Sequence, residues 1–268
     1  MTKPVDFSFD ERVARRYDHQ RAHPPSVSQD IGETLVRLVG QNNHLLEIGA
    51  GTGRIAKPAA AAGCRVTGID ISSEMLAAAG TQEDLSLLLA DMQTLPFLDD
   101  AFDGVLAVHV LHLAKDWQAA LAEAARVLHP DGVFIVGDDW IDPTSVIGAL
   151  RDQMRLKVME LAPQMRPPSA GVSRADVLAQ LGGTDTEEVI AATWTSHISP
   201  AARLAAVEQR IDAESWILPD DLFDAALEHL YAYARETWPD LDEPQPVNRR
   251  FVLKVTRGNW AGASASLP

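Results

Sequence analysis

The sequence predicts an α/β fold built on a parallel sheet. Between residues 45 and 137, short apolar segments of strand type alternate with stretches of helical periodicity. This alternation is typical of parallel strands joined by right-handed crossovers. The first apolar segment breaks into a glycine-rich turn, as expected where a strand meets a helix beside a ligand. With 268 residues and a hydrophobic share of 46%, the chain is long enough for one large core with additions.

The predicted core follows a regular order of strand and helix. Ser72 fits the start of a capped helix, and Gly63 fits the left-handed position that ends one. The expected strands are residues 45–48, 66–70, 85–90, 104–110 and 133–137, and the expected helices are residues 28–39, 54–62, a segment from 72, and 117–128.

Helices predominate after Asp138. We expect helices at residues 144–161, 173–181, 200–216 and 220–237, a sixth strand at about 187–196 and a last strand at 247–257. The segments after the fifth and sixth strands leave the sheet at its carboxyl edge, where open α/β sheets bind ligands. The sequence therefore predicts a core of residues 31–140 and a cap of residues 141–246 that acts as a lid. Residues 1–30 are expected to add a lid helix, and residues 258–268 a flexible tail.

Composition excludes several classes of protein. The formal charge of -15 provides no basic footprint for nucleic acid. The single Cys64 excludes an intrachain disulfide framework, and the eight histidines are scattered without metal-ligand spacing, so no metal site is expected. No apolar run reaches the length of about 18 residues that a membrane span needs, and residues 1–30 lack an apolar signal segment. A cytoplasmic protein without membrane or nucleic-acid partners is the expectation.

The glycine-rich turn and an acid after the second strand indicate a nucleotide-like ligand. Gly49, Gly51 and Gly53 occupy alternate positions, so the backbone can turn sharply and approach a ligand without a Cβ in the way. Asp70 ends the second strand, where a carboxylate can accept hydrogen bonds from both hydroxyls of a ribose. A turn of purely structural value is the alternative for the glycines.

The segment Glu47–Gly53 resembles the first motif of the class I S-adenosylmethionine-dependent methyltransferases, an acid, one residue and then Gly-x-Gly-x-Gly. Asp91 matches the family's acid near the adenine amino group, and Phe102-Asp103 resembles the opening of its fourth strand. The resemblance implies a Rossmann-like doubly wound sheet of seven strands, mostly parallel with an antiparallel last strand, and S-adenosyl-L-methionine as cofactor. The cofactor residues that it implies are Tyr17, Arg21, Glu47, Gly49, Ala50, Gly51, Gly53, Asp70, Ile71, Met75, Asp91, Met92 and His109.

Tyr17 and Arg21 belong to a polar N-terminal segment that is expected to be helical. Many small-molecule methyltransferases carry a Tyr and an Arg there that close over the cofactor, and this segment looks like theirs. A solvated surface helix is the alternative.

Methyl transfer from a sulfonium is an in-line displacement with a neutral leaving group, so positioning is the enzyme's main contribution. A base is needed only where the nucleophile must lose a proton. His109, His112 and Asp138 are the candidates, because they follow the fourth and fifth strands at the ligand edge. A structural role, such as capping, remains open for His112 and Asp138.

The function expected from these observations is S-adenosylmethionine-dependent methyl transfer to a small organic molecule, with S-adenosyl-L-homocysteine as product, by a monomer or homodimer. Two alternatives stay open: a protein that binds the same cofactor for regulation or another reaction, and a nicotinamide-dependent oxidoreductase. The third glycine of a dinucleotide-binding motif would fall at Arg54, which disfavours the second alternative.

Overall fold

The computed structural model describes residues 22–163, 174–210, 215 and 218–261. The strands in these ranges are β1 (His44–Ile48), β2 (Arg65–Asp70), β3 (Leu85–Leu89), β4 (Phe102–Val108), β5 (Leu128–Ile141), β6 (Gly183–Ile198) and β7 (Gln245–Gly258). The helices are α1 (Pro25–Val39), α2 (Ala56–Ala62), α3 (Ser73–Ala79), α4 (Trp117–Val127), α5 (Val146–Leu161), α6 (Arg174–Gln180), α7 (Pro200–Glu208) and α8 (Asp220–Thr237), with a 3-10 turn at Leu111–Leu113.

All seven strands join one sheet in the order β3-β2-β1-β4-β5-β7-β6. The strands from β3 to β5 are parallel, whereas β7 runs antiparallel to both of its neighbours. The predicted fold class, a doubly wound and mostly parallel sheet with an antiparallel last strand, is confirmed. The strand order reverses between β1 and β4, and in such sheets this reversal opens the crevice that takes a ligand.

The last three strands are longer than their sequence patterns predict. β5 begins at Leu128 rather than at Val133, because Leu128 pairs with Phe102 ahead of a register shift before Gly104. A bulge of this kind admits the turn-forming residues 129–132 into the strand. β6 covers residues 183–198 instead of 187–196, and β7 covers residues 245–258.

The chain forms two compact units, and the larger one contains residues 22–138, 174–192 and 251–261 of the described chain. Its core is continuous through the sheet because β1 and β4 are apolar along most of their length. Helix α4 covers this sheet with the side chains of Ala120, Leu121, Ala124 and Ala125. The core includes Leu46, Ile48, Val105, Ala107, Leu121, Phe134 and Trp260.

The smaller unit contains residues 139–163, 193–210, 215 and 218–250 and has its own core between α5, α7 and α8. Serine caps start two of these helices: the Ser145 hydroxyl accepts the Gly148 N–H at 3.3 Å, and the Ser199 hydroxyl accepts the Ala202 N–H at 3.2 Å. The core is formed by Val146, Leu150, Leu204, Val207, Leu218, Phe223, Leu230 and Ala234. The predicted cap thus has a hydrophobic core of its own, while its action as a lid stays a prediction.

The predictions for the two ends of the chain have different outcomes. The predicted N-terminal lid helix, with Tyr17 and Arg21, lies outside the described residues, as do residues 262–268. The flexible tail expected from residue 258 is wrong for its first residues, because Trp260 is only 2% exposed. Its indole Nε1–H donates to the Gly132 carbonyl at 2.8 Å, and its backbone N–H donates to Pro130. A large aromatic side chain with a buried partner anchors a segment whose composition looks like that of a tail.

In the part of the chain that the structure describes, no helix combines the length and the apolarity that crossing a membrane requires.

Two substitutions of Trp260 should destabilise the larger unit to different extents. Trp260→Phe removes the hydrogen bond to the buried Gly132 carbonyl and should lower the free energy of unfolding by about 1–3 kcal/mol. Trp260→Ala also leaves a cavity and should cost about 3–5 kcal/mol. Urea unfolding measures both. Arg257→Ala is the control, because its exposed pair with Glu187 is worth at most about 1 kcal/mol. Equal stability of Trp260→Ala and the control would contradict the anchoring role.

Candidate functional site

The turn after β1 requires its three glycines. Gly49, Gly51 and Gly53 have φ values of 73°, 56° and 77°, in the left-handed region that other residues rarely adopt. Space limits the first of them as well, because a Cβ on Gly49 would overlap the Val110 side chain that follows β4. The alternate spacing of the glycines in the sequence therefore reflects three consecutive conformational requirements of one turn.

Asp70 holds this turn against the end of β2. Its Oδ2 accepts the Gly51 N–H at 2.9 Å, and its Oδ1 accepts the Ser72 N–H at 2.9 Å. The Ala50 N–H, one residue earlier, donates to the Ile69 carbonyl at 2.8 Å. An ionised carboxylate has about four acceptor positions, so two of those on Asp70 are available to a ligand. The turn and the acid were predicted from the sequence, but the direct bond between them was not.

Three of the predicted cofactor residues lie together around Gly51. A Cβ built on Gly51 would lie 3.0 Å from Met75 Cε and 4.0 Å from Asp70 Oδ2. Met75 is buried at the start of α3, where the Ser72 hydroxyl accepts its N–H at 3.2 Å. Ile71, between Asp70 and this helix, is 73% exposed, which is unusual for a large apolar side chain. The arrangement gives an acid, an apolar floor and an exposed apolar side chain beside a backbone that lacks side chains.

Glu47 lies beneath the turn with only 2% of its surface exposed. It accepts a hydrogen bond from the backbone N–H of Ala56, the first residue of α2. Burial raises the pKa of its carboxyl to about 8; the Asp70 charge adds to the rise, and Arg54 opposes it. Its Oε2 is buried and has no hydrogen-bond partner among the described residues. The contact with α2 was not predicted from the sequence, and the predicted contact of Glu47 with a cofactor stays a prediction.

Asp91 follows β3 and is oriented by a residue that the sequence analysis missed. Its Oδ1 accepts the Gln93 N–H at 2.8 Å, and both of its carboxylate oxygens accept the Gln93 side-chain amide, at 3.1 and 3.2 Å. Gln93 in turn accepts the Asp116 N–H at 2.8 Å, which ties the loop to the start of α4. A turn-forming Asp followed two residues later by a polar side chain was the available signal. Met92, between them, packs against the core.

Two of the three candidate bases lie close together. His109 Nδ1 lies 3.4 Å from Asp138 Oδ1, so the ends of β4 and β5 bring these two side chains close to each other. His109 has a left-handed φ of 51°, an unusual conformation for a residue other than glycine. His112 is exposed on the 3-10 turn that follows. Within the described ranges, no group of three or more His, Cys, Asp or Glu side chains is arranged to hold a metal ion.

The buried carboxyl of Glu47 should make stability depend on pH in a defined direction. Its pKa in the folded protein, about 8, exceeds the ordinary value of 4.5, so the folded state retains a proton that the unfolded state has lost between these values. Stability from this group is complete below pH 4.5 and is lost as the pH rises through about 8, by up to about 1.4 kcal/mol per pH unit. Glu47→Gln lacks the titrating proton and should lose less stability over this range.

Urea unfolding of both proteins from about pH 5 to about pH 8 measures the difference. Glu123→Gln is the matched control: its hydrogen bond with Arg126 lowers the pKa of the Glu123 carboxyl, so that group is ionised in both states across this range. Its stability difference from the parent protein should stay constant with pH. Parallel curves for Glu47→Gln and the parent protein would contradict the raised pKa.

Comparison with known proteins assigns this site to a family. Residues 46–136 match the family described as "Methyltransferase domain". An O-methyltransferase of Aspergillus nomiae is 33% identical over 124 residues, which cover 43% of this chain and 54% of that protein. An uncharacterised protein of Methanocaldococcus jannaschii is 38% identical over 147 residues, 55% of this chain and 68% of that protein. The chain spans about half the length of the first curated relatives that it matches.

A solved structure has the same fold. The phosphoethanolamine N-methyltransferase 2 of Haemonchus contortus, in complex with S-adenosyl-L-methionine, superimposes with a TM-score of 0.55 at 16% identity, covering 96% of this chain and 60% of that one. The strand order, the glycine turn with its acid, and the matched domain agree with one another. The chain therefore belongs to the class I S-adenosylmethionine-dependent methyltransferase family, as its sequence predicts.

Proposed function

We propose that this protein transfers a methyl group from S-adenosyl-L-methionine to a small organic molecule and releases S-adenosyl-L-homocysteine. The observation that carries the proposal is the bond from Gly51 to Asp70, at the point where the strand order reverses. It supports the proposal because the Asp70 carboxylate, a group suited to accept from ribose hydroxyls, lies beside the glycine backbone of the turn. The Aspergillus nomiae and Haemonchus contortus proteins, which are named as an O-methyltransferase and an N-methyltransferase, agree with methyl transfer but differ in the acceptor atom.

The residues around the turn fit the parts of this cofactor. Asp70 has acceptor positions left for the two ribose hydroxyls, while Gly51 leaves room for the chain that joins ribose to sulfur. Asp91, held by Gln93, is placed at the end of the neighbouring strand β3, where an acid can accept from the adenine amino group. Ile71, Met75 and Met92 supply apolar surface for the adenine ring. Ala50 and the other two glycines complete the backbone of the turn, and Glu47 supports it from below.

His109 is the residue that we propose as the base where the acceptor must lose a proton. The nearby Asp138 carboxylate favours the tautomer that carries a proton on Nδ1, in which Nε2 is the acceptor nitrogen. Asp138 is 73% exposed and can alternatively orient an amine or hydroxyl of the acceptor. The bound cofactor supplies an electrophilic methyl group, so the residues of the chain have only to align the nucleophile and take up its proton. His112 remains a candidate on the adjoining turn.

Incubation with S-adenosyl-L-methionine labelled on the methyl group, in the presence of a small-molecule metabolite extract, tests the function. Label in a new small molecule, with equal release of S-adenosyl-L-homocysteine, is expected. Titrations with S-adenosyl-L-homocysteine and with NADH accompany it. Tight binding of S-adenosyl-L-homocysteine without label transfer from several extracts would favour a binding or non-methylating role. Binding of NADH alone would overturn the proposal.

The formal charge of -15 disfavours nucleic acid as acceptor, and a monomer or a homodimer fits the proposal equally well.

Asp70→Ala should weaken the binding of S-adenosyl-L-homocysteine by about 1–3 kcal/mol, because charge-assisted bonds to the ribose are lost. Calorimetric titration measures the dissociation constant, and urea unfolding checks that the loss of the bonds to Gly51 and Ser72 has not unfolded the site. Asp131→Ala removes an exposed acid near the start of β5, at the opposite edge of the sheet, and should bind like the parent protein. An unchanged dissociation constant for a folded Asp70→Ala variant would remove Asp70 from the site.

His109→Gln should lower the rate of label transfer by about 100-fold or more where the acceptor needs a base. The loss should shrink at high pH, where the acceptor ionises without help. His129→Gln is the control, because His129 is an exposed histidine near the start of β5 and far along the strand from Asp138. Transfer at the parent rate across the pH range by His109→Gln would exclude this residue as the base and leave positioning alone as the source of catalysis.

A further inference from the structure

Residues 91–95, called the β3 loop below, form a tight turn that is fixed to α4. The Asp91 carbonyl accepts the Thr94 N–H at 3.1 Å, which closes the turn. At the end of the loop, the Leu95 N–H donates to the Glu123 carboxylate on α4 at 2.7 Å, and the Leu95 side chain is buried. The β3 loop therefore has a defined conformation beside the larger unit's core.

A second bond to the start of α4 determines which way the Gln93 amide faces. The Asp116 N–H donates to Gln93 Oε1 at 2.8 Å. Because a backbone N–H can only donate, the amide atom that faces it is the oxygen. The amide nitrogen, which can only donate, then faces Asp91, at 3.1 Å from Oδ1 and 3.2 Å from Oδ2. Gln93 thus presents an N–H group to both oxygens of the Asp91 carboxylate.

These bonds use the two oxygens of Asp91 unequally. Oδ1 accepts the backbone N–H of Gln93 at 2.8 Å in addition to the amide, so it has two donors. A carboxylate oxygen has about two acceptor positions, so those of Oδ1 are filled, whereas Oδ2 keeps one. This remaining position can take an N–H of a ligand. A ligand carbonyl oxygen would find no donor there and would face negative charge.

Asp91 lies one strand away from the acid that is predicted to bind ribose. Asp70, at the end of β2, is the register partner of Leu89 on β3. The Ala90 N–H donates to the Asp70 carbonyl at 3.0 Å, so the two chain segments are still bonded directly before Asp91. Neighbouring strands are about 5 Å apart. The base of a nucleoside whose ribose binds at Asp70 is therefore within reach of Asp91.

We propose that Gln93 is a positioning residue that determines which purine the cofactor site accepts. By holding the Asp91 carboxylate as an acceptor on both oxygens, Gln93 favours a base with an amino group at its 6-position over the same base with a 6-oxo group. The inference rests on the proposed function, because the ligand is taken to be S-adenosyl-L-methionine or S-adenosyl-L-homocysteine. It deepens that function by assigning the selectivity for adenine to the Gln93 amide acting through Asp91.

Calorimetric titration of the full chain with S-adenosyl-L-homocysteine and with S-inosyl-L-homocysteine, its 6-oxo analogue, tests the inference. The parent protein should bind the amino ligand at least about tenfold more tightly, because the 6-oxo group cannot donate to Asp91. Failure to bind either ligand would overturn the proposed function together with this inference. Equal binding of both ligands would overturn only the selectivity assigned to Gln93 and Asp91.

Two substitutions of Gln93 separate its two bonds. Gln93→Glu keeps an oxygen for the Asp116 N–H but places a second carboxylate oxygen against Asp91, which repels it. Gln93→Leu removes both bonds at nearly the same size. In both variants Asp91 is no longer held through its two oxygens, so the preference for the amino ligand should fall at least about threefold. Should Gln93→Leu fail to fold, Gln93→Glu, which keeps the bond to Asp116, decides the question.

Two controls distinguish selectivity from stability. Asp116→Ala removes the side chain that accepts the Ala119 N–H at 2.9 Å, but keeps the backbone N–H that Gln93 accepts. This variant should have a lower thermal midpoint and the parent's ligand preference. Gln118→Leu, at an exposed position of α4, should change neither property. A parent-like preference in the folded Gln93 variants, or an equal loss of preference in Asp116→Ala, would refute the role of Gln93.

Discussion

The turn between β1 and α2 depends on the carboxylate of Asp70, and most of the candidate site depends on that turn. The turn has three glycines in left-handed conformation within five positions. Such a segment is not rigid by itself, because glycine loses more conformational entropy on folding than other residues do. The carboxylate compensates by accepting one N–H from the turn and one from the segment that begins α3. A single side chain therefore couples the end of β2 to the backbone on either side of the crevice.

A buried acid, Glu47, is tolerated below the turn. Glu47 has a hydrogen bond to the first N–H of α2, and the remaining cost of burial is avoided by a pKa high enough to keep the carboxyl largely neutral near pH 7. Glu47 on β1 and Asp70 at the end of β2 thus have different roles. Asp70 is half-exposed and accepts backbone N–H groups at the edge of the site, whereas Glu47 is buried and packs as a largely neutral polar group beside the first residue of α2. Their environments, rather than their residue types, separate these roles.

The elements that the sequence predicts well are those whose signal is local. The apolar runs of β1 and β4, the glycine spacing and the position of Asp70 all follow from short patterns, and so does α8 at Asp220–Thr237, which opens with two acids as expected. The partners of these residues are not local. That Val110 excludes a side chain from Gly49, or that Gln93 orients Asp91, depends on how separate loops meet in space. Trp260 stands in a segment rich in small residues, and only its distant partner Gly132 reveals it as part of the core.

The left-handed backbone of His109 restricts the chemistry that can occur at the end of β4. A β-branched or bulky residue with a φ of 51° would be strained, whereas glycine, asparagine, aspartate and histidine adopt such values more readily. Of these four, only glycine lacks a hydrogen-bonding side chain. The backbone conformation therefore limits which residues are tolerated at position 109, and almost all of the tolerated residues are polar. Substitutions at this position during evolution would tend to exchange one hydrogen-bonding side chain for another. The main-chain conformation, and not only the side chain itself, would therefore maintain a polar group at this edge of the sheet.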